Sequence, residues 1–329
     1  MVQIENLKYS YDTKPIFALK KRKRSEKYGV NIPRFEMKQG DRMAIIGFNG
    51  AGKSTFLKLL IGILRPTEGI ILINGIQPWQ NRKKHVKNLG IVWGHRTTLW
   101  WDLSVRESLA AIQKIYEVPK ERFQERLKVY SDIFQCKDFI DRPLRQLSLG
   151  QRVKAEIIAA LLHSPEILIL DEPFIGLDFI SKRAIIKELN LILDSTQTTL
   201  FLTSHDIDDI DLLCDSITIL NKGEILASCP KDELLQFDRK VSEIEIQKDS
   251  KDELKISPKI LEEQIISIEY NEEYSLCRIK VKKGEESSKD IIKDIVEQNE
   301  GIQNISILKS GLENAIEERI RENMERLYE

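Results

Sequence analysis

Nine consecutive residues, Gly47-Phe48-Asn49-Gly50-Ala51-Gly52-Lys53-Ser54-Thr55, place three glycines, a lysine and two hydroxyls at the spacing of a P-loop. Glycines let backbone N–H groups close around phosphate oxygens, and a helix starting at the lysine adds a favourable dipole. Gly47, Asn49, Gly50, Ala51, Gly52, Lys53, Ser54 and Thr55 are thus candidate phosphate-binding residues. Lys53 is placed to reach β- and γ-phosphates, and the Ser54 hydroxyl to ligate Mg²⁺.

A P-loop by itself indicates only a nucleoside triphosphate. Two later segments narrow the chemistry. Leu147-Ser148-Leu149-Gly150-Gln151 ends 20 residues before Asp171 and precedes a helix with an apolar face of Val153, Ile157, Ile158, Leu161 and Leu162. Its Ser148 and Gly150 would present a hydroxyl and N–H groups at that helix start, a second anion site. Ile167-Leu168-Ile169-Leu170-Asp171-Glu172-Pro173 is a buried strand ending in two carboxylates. Asp171 can hold a Mg²⁺ shell through water, and Glu172 can orient or deprotonate an attacking water. Two acids at a strand end can also be only a strand end; the upstream P-loop favours the chemical reading.

The elements that must position these groups alternate in residues 1–240 between strand-like and helix-like runs, the pattern of an α/β domain. Met43–Ile46, Ile70–Ile73, Ile167–Leu170 and Thr199–Leu202 read as strands. Lys53–Leu64 reads as a helix, and Ser104–Gln146 as largely helical with breaks at Pro119 and Pro143. From Val241 to Glu329 there are 14 basic and 22 acidic residues, net −8, against 37 and 30, net +7, before it. That shift predicts a boundary near Lys240 and a small α+β domain over 241–329. There Cys277, Ile279 and Val281 alternate as in a strand, Ile302, Ile305 and Ile307 suggest another, Ile291, Ile292, Ile295 and Val296 share a helical face, and Leu312, Ile316, Ile320 and Leu327 stripe a last helix. Nothing in this tail has catalytic spacing; it reads as a folding or dimerisation module.

The order of P-loop, Leu-Ser-x-Gly-Gln, Asp-Glu-Pro, Gly176-Leu177-Asp178 and Thr203-Ser204-His205-Asp206 resembles the ATP-binding cassette family over residues 1 to about 230. The resemblance implies an α/β P-loop cassette with a mixed sheet core and a helical subdomain at about 96–146. It implies ATP and Mg²⁺ as ligands and two cassettes, by expectation two copies of this chain, pairing head to tail. Ser148, Gly150 and Gln151 of one copy then cap the ATP of the other, Asp178 crosses the interface, and His205 holds the γ-phosphate and positions the water. Tyr11 matches the aromatic that stacks on adenine, with Tyr9 as the rival and strand packing as the plain alternative for either.

Gly90-Ile91-Val92-Trp93-Gly94-His95-Arg96-Thr97-Thr98-Leu99-Trp100-Trp101-Asp102-Leu103 lies where that family has its glutamine loop, and is similar to the sodium-efflux-like cassettes that partner type-two permeases. This implies an exporter ATPase working on a separate integral membrane permease at the cytoplasmic face of a bacterial membrane. Three positions depart from the pattern. His95, or Gly94, stands in place of the glutamine that senses Mg²⁺; a neutral imidazole can still bond water, whereas a protonated one would repel the metal. Leu149 replaces a signature glycine, and Phe174 a small hydroxyl residue. Trp100 and Trp101 are adjacent and cannot share one core-facing side, so at least one is expected to be exposed and to line the permease-docking groove; the alternative buries both in the helical subdomain.

Composition removes other classes. No apolar run approaches the roughly 18 residues of a membrane span, and Met1-Val2-Gln3-Ile4-Glu5 does not open a signal peptide, which predicts a cytoplasmic protein. Cysteines at 136, 214, 229 and 277 form no Cys-x-x-Cys pair, and the four histidines have no metal-ligand spacing. The five cations Lys20–Arg24 read as a solvated loop or as a contact with anionic lipid; without interleaved aromatics they do not predict nucleic-acid binding. One cassette per chain and about 90 residues between P-loop and signature argue against ribosome- and chromosome-type relatives, the rival soluble class. A nucleotide-sensing module with weak turnover is the third reading, and steady-state ATP hydrolysis separates it.

Overall fold

The computed structural model describes residues 1–11, 29–94, 96–238, 241–249, 254–263, 265–271, 276–282, 287–308 and 316. The basic segment 20–24, His95, and Leu312, Ile320 and Leu327 lie outside the described residues. The chain divides into two compact units, Met1–Cys229 and Pro230–Glu329. The division falls at Pro230 rather than after Lys240, because helix α8 (Lys231–Asp238) groups with the second unit.

In the first unit β1 (Val2–Tyr9), β2 (Val30–Met37) and β4 (Glu68–Ile73) form an antiparallel sheet in the order β2-β1-β4. β1 pairs Ile4 with Phe35 on one side and with Ile71 on the other, which puts all three side chains on the buried face. The second sheet has the order β5-β6-β7-β3-β8-β9, built from β3 (Arg42–Ile46), β5 (Leu89–Trp93), β6 (Ile167–Asp171), β7 (Thr199–Thr203), β8 (Ser216–Asn221) and β9 (Glu224–Pro230). Strands β5, β6, β7, β3 and β8 run parallel. Their apolar runs are continuous rather than alternating, as strands covered on both faces require: Ile167–Leu170 and Thr199–Thr203 are wholly buried.

Helix α1 (Lys53–Ile61) lies between the two sheets, and Phe56, Leu57, Leu59, Leu60 and Ile61 join one core with Val2, Ile4, Ile32, Ile45, Ile169 and Phe201. The Phe56 ring meets Phe35 edge-on at 5.5 Å. The helix stops three residues short of the expected Leu64 because Gly62 adopts a left-handed conformation, with its N–H and that of Ile63 closing on Leu59 and Lys58 carbonyls. Short α2 (Arg82–Lys87) follows β4. The helical stretch comprises α3 (Val105–Ile115), started by a reciprocal Ser104–Glu107 capping box, α4 (Lys120–Ile133), a 3₁₀ turn at Leu144–Gln146 and α5 (Leu149–Leu161). Pro119 and Pro143 stand immediately before α4 and the 3₁₀ turn, where a missing N–H costs nothing. α6 (Phe179–Thr196) and α7 (Ile207–Leu213) complete the unit.

The second unit contains β10 (Val241–Lys248), α9 (Pro258–Glu263), β11 (Ile265–Asn271), β12 (Leu276–Lys282), α10 (Ser287–Gln298) and β13 (Ile302–Leu308). The strands pair antiparallel in the order β11-β12-β10-β13, the β-α-β-β-α-β arrangement of a ferredoxin-like sheet. Cys277, Ile279 and Val281 face a core with Ile244, Ile246, Ile291 and Ile295. Val296 is exposed, so the α10 stripe is narrower than the four residues expected. Each unit thus has its own apolar core. A chain ending at Cys229 is expected to fold and to bind ATP with unchanged affinity, measured by circular dichroism and by titration with a fluorescent ATP analogue.

Candidate functional site

Four segments emerge from the C-terminal ends of neighbouring parallel strands: the P-loop from β3, Gly94 from β5, Asp171-Glu172 from β6 and Ser204-His205 from β7. Ligands of open α/β sheets bind at this edge. Gly47 leaves β3 at φ 152°, and a β-carbon there would lie 2.2 Å from the Leu220 carbonyl oxygen, so the loop can turn only without a side chain. The turn closes through Ala51 N–H to Phe48 O at 2.9 Å, and Gly52 leads into α1. The Lys53 ammonium donates back to Gly47 O at 2.5 Å. Partial burial lowers its pKa below the ordinary lysine value, while Glu172 and Asp171 act against that shift. Ser54 and Asn49 are exposed and Thr55 is buried. The Tyr11 hydroxyl lies 2.9 Å from Thr55 Oγ1, its ring exposed and edge-on to Tyr9 at 5.0 Å. Tyr9 packs against the core, so of the two tyrosines Tyr11 is the one that stands open beside the P-loop.

The carboxylates are held by Thr203, fully buried at the end of β7. Its hydroxyl donates to Asp171 Oδ1 at 2.5 Å and accepts the Glu172 N–H at 3.1 Å. Glu172 sits at φ 52°, a left-handed conformation that costs a residue with a β-carbon about 1 kcal/mol. The turn directs its carboxylate toward His205, whose backbone N–H donates to Oε2 at 3.3 Å. His205 Nε2 is 3.3 Å from Oε1, a charge-pairing distance without hydrogen-bond alignment, and Oε1 is buried with no hydrogen-bond partner. Such an atom is an acceptor available to a water or ligand O–H. Lys182 of α6 supports the same loop, binding Asp206 and lying 2.9 Å from Asp209. Burial raises the Asp209 pKa despite that lysine.

Gly94 closes the site from the β5 side. Its N–H donates to Asp171 O at 2.8 Å, and an added β-carbon would lie 1.9 Å from Glu172 O. No side chain fits at position 94, so of the two candidates for the loop-glutamine position this one cannot carry a side chain.

The signature residues form a separate group. Ser148 caps α5: its Oγ accepts the Gln151 N–H at 3.3 Å, and Gln151 Oε1 accepts the Ser148 N–H at 3.0 Å. Asp178 caps α6 by accepting the Ser181 N–H at 2.9 Å, and its hydrogen bonds from Ser181 hold its carboxyl below the ordinary aspartate value. A β-carbon on Gly150 would be 3.7 Å from Ser181, so the two helix starts adjoin. Leu149, Ile175, Phe179 and Ile180 beside them are exposed apolar side chains. Phe174 is buried, its ring taken into the interior. Thr203, Lys182 and the Gly94 contact carry structural parts of the site that residue spacing did not indicate; Thr203 stood within a recognised motif, but its tie to Asp171 crosses 32 residues.

Residues 30–175 match the ABC transporter family. The chain is 29% identical over 203 residues to the ABC transporter ATP-binding protein NatA of Bacillus subtilis, covering 62% of this chain and 82% of that protein. It is 32% identical over 216 residues to the bacitracin transport ATP-binding protein BcrA of Bacillus licheniformis, covering 65% and 69%. The solved structure of cbiO1 from Clostridium perfringens, part of the ABC transporter complex cbiONQ, superposes with a TM-score of 0.62 at 26% identity, covering 71% of this chain and 90% of that one. The chain belongs to the ATP-binding cassette family of ABC transporters. It is an ATP-binding subunit of such a transporter and an ATPase.

Proposed function

We propose that the chain hydrolyses Mg²⁺-ATP at the β3 P-loop, pairs head to tail with a second copy, and drives a separate membrane permease in the direction of export from the cytoplasmic face. The observation that carries the reading is the convergence of Lys53, Asp171, Glu172 and His205 at one sheet edge, with the buried Glu172 Oε1 lacking a hydrogen-bond partner. Gly47, Asn49, Gly50, Ala51 and Gly52 cradle the phosphates, Lys53 exchanges its bond to Gly47 O for phosphate oxygens, and Tyr11 stacks on adenine. Ser54 and Asp171 would hold Mg²⁺, which when bound neutralises charge on the phosphates. Glu172 accepts a hydrogen bond from the attacking water and takes its proton, and His205 steadies the γ-phosphate. His95, which lies outside the described residues, is assigned the loop-glutamine role toward Mg²⁺ from its place in the sequence alone.

Pairing is supported by the exposed Leu149, Ile175, Phe179 and Ile180 around Ser148, Gly150, Gln151 and Asp178, an apolar surface of the kind that proteins cover with a partner. Among the described residues no helix is long and apolar enough to cross a membrane. Trp100 and Trp101 are both exposed, as is Leu103, with the Arg152 guanidinium 5.0 Å from the Trp101 ring centre. Exposed tryptophans at an interface are anchors worth about 2 kcal/mol or more on truncation. Trp100→Ala with Trp101→Ala should leave the isolated subunit's ATPase intact but abolish its co-purification with an integral membrane protein. Wild-type co-purification by that variant would remove the tryptophans from the docking surface, and failure of the unmodified chain to hydrolyse Mg²⁺-ATP would sink the whole reading.

A further inference from the structure

Glu156 is a carboxylate on the buried face of α5, only 6% exposed, two turns along from Ser148. A buried charge is costly unless hydrogen bonds satisfy it. Every donor it finds comes from one short segment after β5. The Thr97 hydroxyl donates to Oε1. The Thr98 N–H is shared between Oε1 at 3.1 Å and Oε2 at 3.2 Å, and the Thr98 hydroxyl donates to Oε2 at 2.5 Å. Thr97 Oγ1 in turn accepts the Leu99 N–H at 3.1 Å, which fixes the segment's own turn. At its other end this segment is pinned to the catalytic strand, Gly94 N–H to Asp171 O at 2.8 Å and Gly94 Cα against the Glu172 carbonyl. Contacts thus run from the backbone carbonyls of Asp171 and Glu172 to Gly94, across the turn closed by the Arg96 N–H on Trp93 O at 3.2 Å, and from Thr97-Thr98 to the helix whose first turn carries Ser148. The lower half of that helix is itself seated on β5, where a β-carbon on Gly90 would lie 2.3 Å from Ala160 O.

We propose that Glu156 is a positioning residue which, through Thr97 and Thr98, holds the segment after β5 against α5 and so keeps Gly94 seated on the backbone that aims the Asp171-Glu172 pair for ATP hydrolysis. The proposal rests on the reading of Asp171 and Glu172 as the hydrolytic pair. A carboxylate suits the task because its two oxygens accept from three donors at once, whereas a side chain that merely filled the space would leave the Thr98 N–H and hydroxyl without this acceptor, the Thr97 hydroxyl keeping only Leu99 O at 3.3 Å.

The test uses the full chain with Glu156→Ala, Glu156→Gln and Thr98→Val, each measured for kcat, KM for ATP, affinity for a fluorescent ATP analogue and melting temperature, beside Glu172→Gln. In Glu156→Ala, kcat should fall about a hundredfold, the scale of a small misplacement transmitted from outside the reacting groups, with nucleotide affinity unchanged. Glu156→Gln keeps an acceptor for the Thr98 N–H and should restore most of the turnover. Thr98→Val removes one hydroxyl, keeps the N–H, and should lower kcat by the same route at unchanged affinity; it also decides the matter where Glu156→Ala does not fold. Wild-type kcat in Glu156→Ala or in Thr98→Val overturns the proposal, as does a loss of kcat that merely follows the loss of folded protein. Wild-type turnover in Glu172→Gln would instead overturn the reading of the hydrolytic pair, whatever the Glu156 variants do.

Discussion

Glu172→Gln is expected to lower ATP turnover by about a hundred- to ten-thousand-fold, the range over which a positioned general base acts. Nucleotide affinity should stay unchanged, because the P-loop grows from β3 and its bonds involve no atom of Glu172. The substitution is isosteric, and Oε1 has no hydrogen bond to lose, while Oε2 keeps an oxygen for the His205 N–H. Stability should therefore change little, so that lost turnover reports on chemistry rather than on folding. With ATP bound and not hydrolysed, the paired form should accumulate, which analytical ultracentrifugation in the presence of Mg²⁺-ATP reads directly. A Glu172→Gln chain with wild-type turnover would take this carboxylate out of the mechanism.

A comparable loss is expected from Gly94→Ala, by a different route. The added β-carbon would lie 1.9 Å from Glu172 O and 2.8 Å from its carbonyl carbon, and neither is the movable tip of a side chain. Either the end of β5 or the turn that aims Glu172 must shift. Overpacking of this kind costs about 1–3 kcal/mol, and a 1 Å displacement of a reacting group costs about a hundredfold in rate. The expected result is a lower melting temperature together with a kcat reduced about a hundredfold and ATP affinity near wild type. An alanine chain that melts and turns over like the parent would show that the approach of Gly94 to Glu172 has no bearing on hydrolysis.

What could be read from the residues and what could not follow a physical division. The strand-loop-helix at 42–61 is legible because its pieces are adjacent: a buried run, glycines that must turn, then apolar residues at helical spacing. Ser148 and Gln151 are legible for the same reason, since their reciprocal capping spans three residues. Gly62 illustrates a smaller miss, where apolar periodicity continued to Leu64 but backbone conformation ended the helix. Thr203, Lys182 and Glu156 act through partners 24 to 59 residues away, and no local pattern announces such pairs. Glu156 did leave a trace: a carboxylate between Val153 and Ala160 on a helix face otherwise apolar is a buried charge in want of donors. The ferredoxin-like order of the second unit was equally out of reach, because the spacing of Cys277, Ile279 and Val281 shows a strand without saying that it lies between β10 and β11. That at least one of Trp100 and Trp101 is exposed, by contrast, followed from their adjacency, although adjacency did not say that both are.

The central claim is that one complete site takes its P-loop from one copy and its signature from another, and subunit mixing tests it most directly. Lys53→Ala removes the phosphate-binding ammonium, and Ser148→Arg blocks the start of α5; each variant by itself should be inactive. A mixed pair contains one site carrying both defects and one site carrying neither. Steady-state ATP hydrolysis is therefore expected to reappear when the two inactive proteins are combined, and to increase with the fraction of mixed pairs. If the mixture remains as inactive as its components although mixed pairs form, the site is not shared between copies in this way and the account is contradicted.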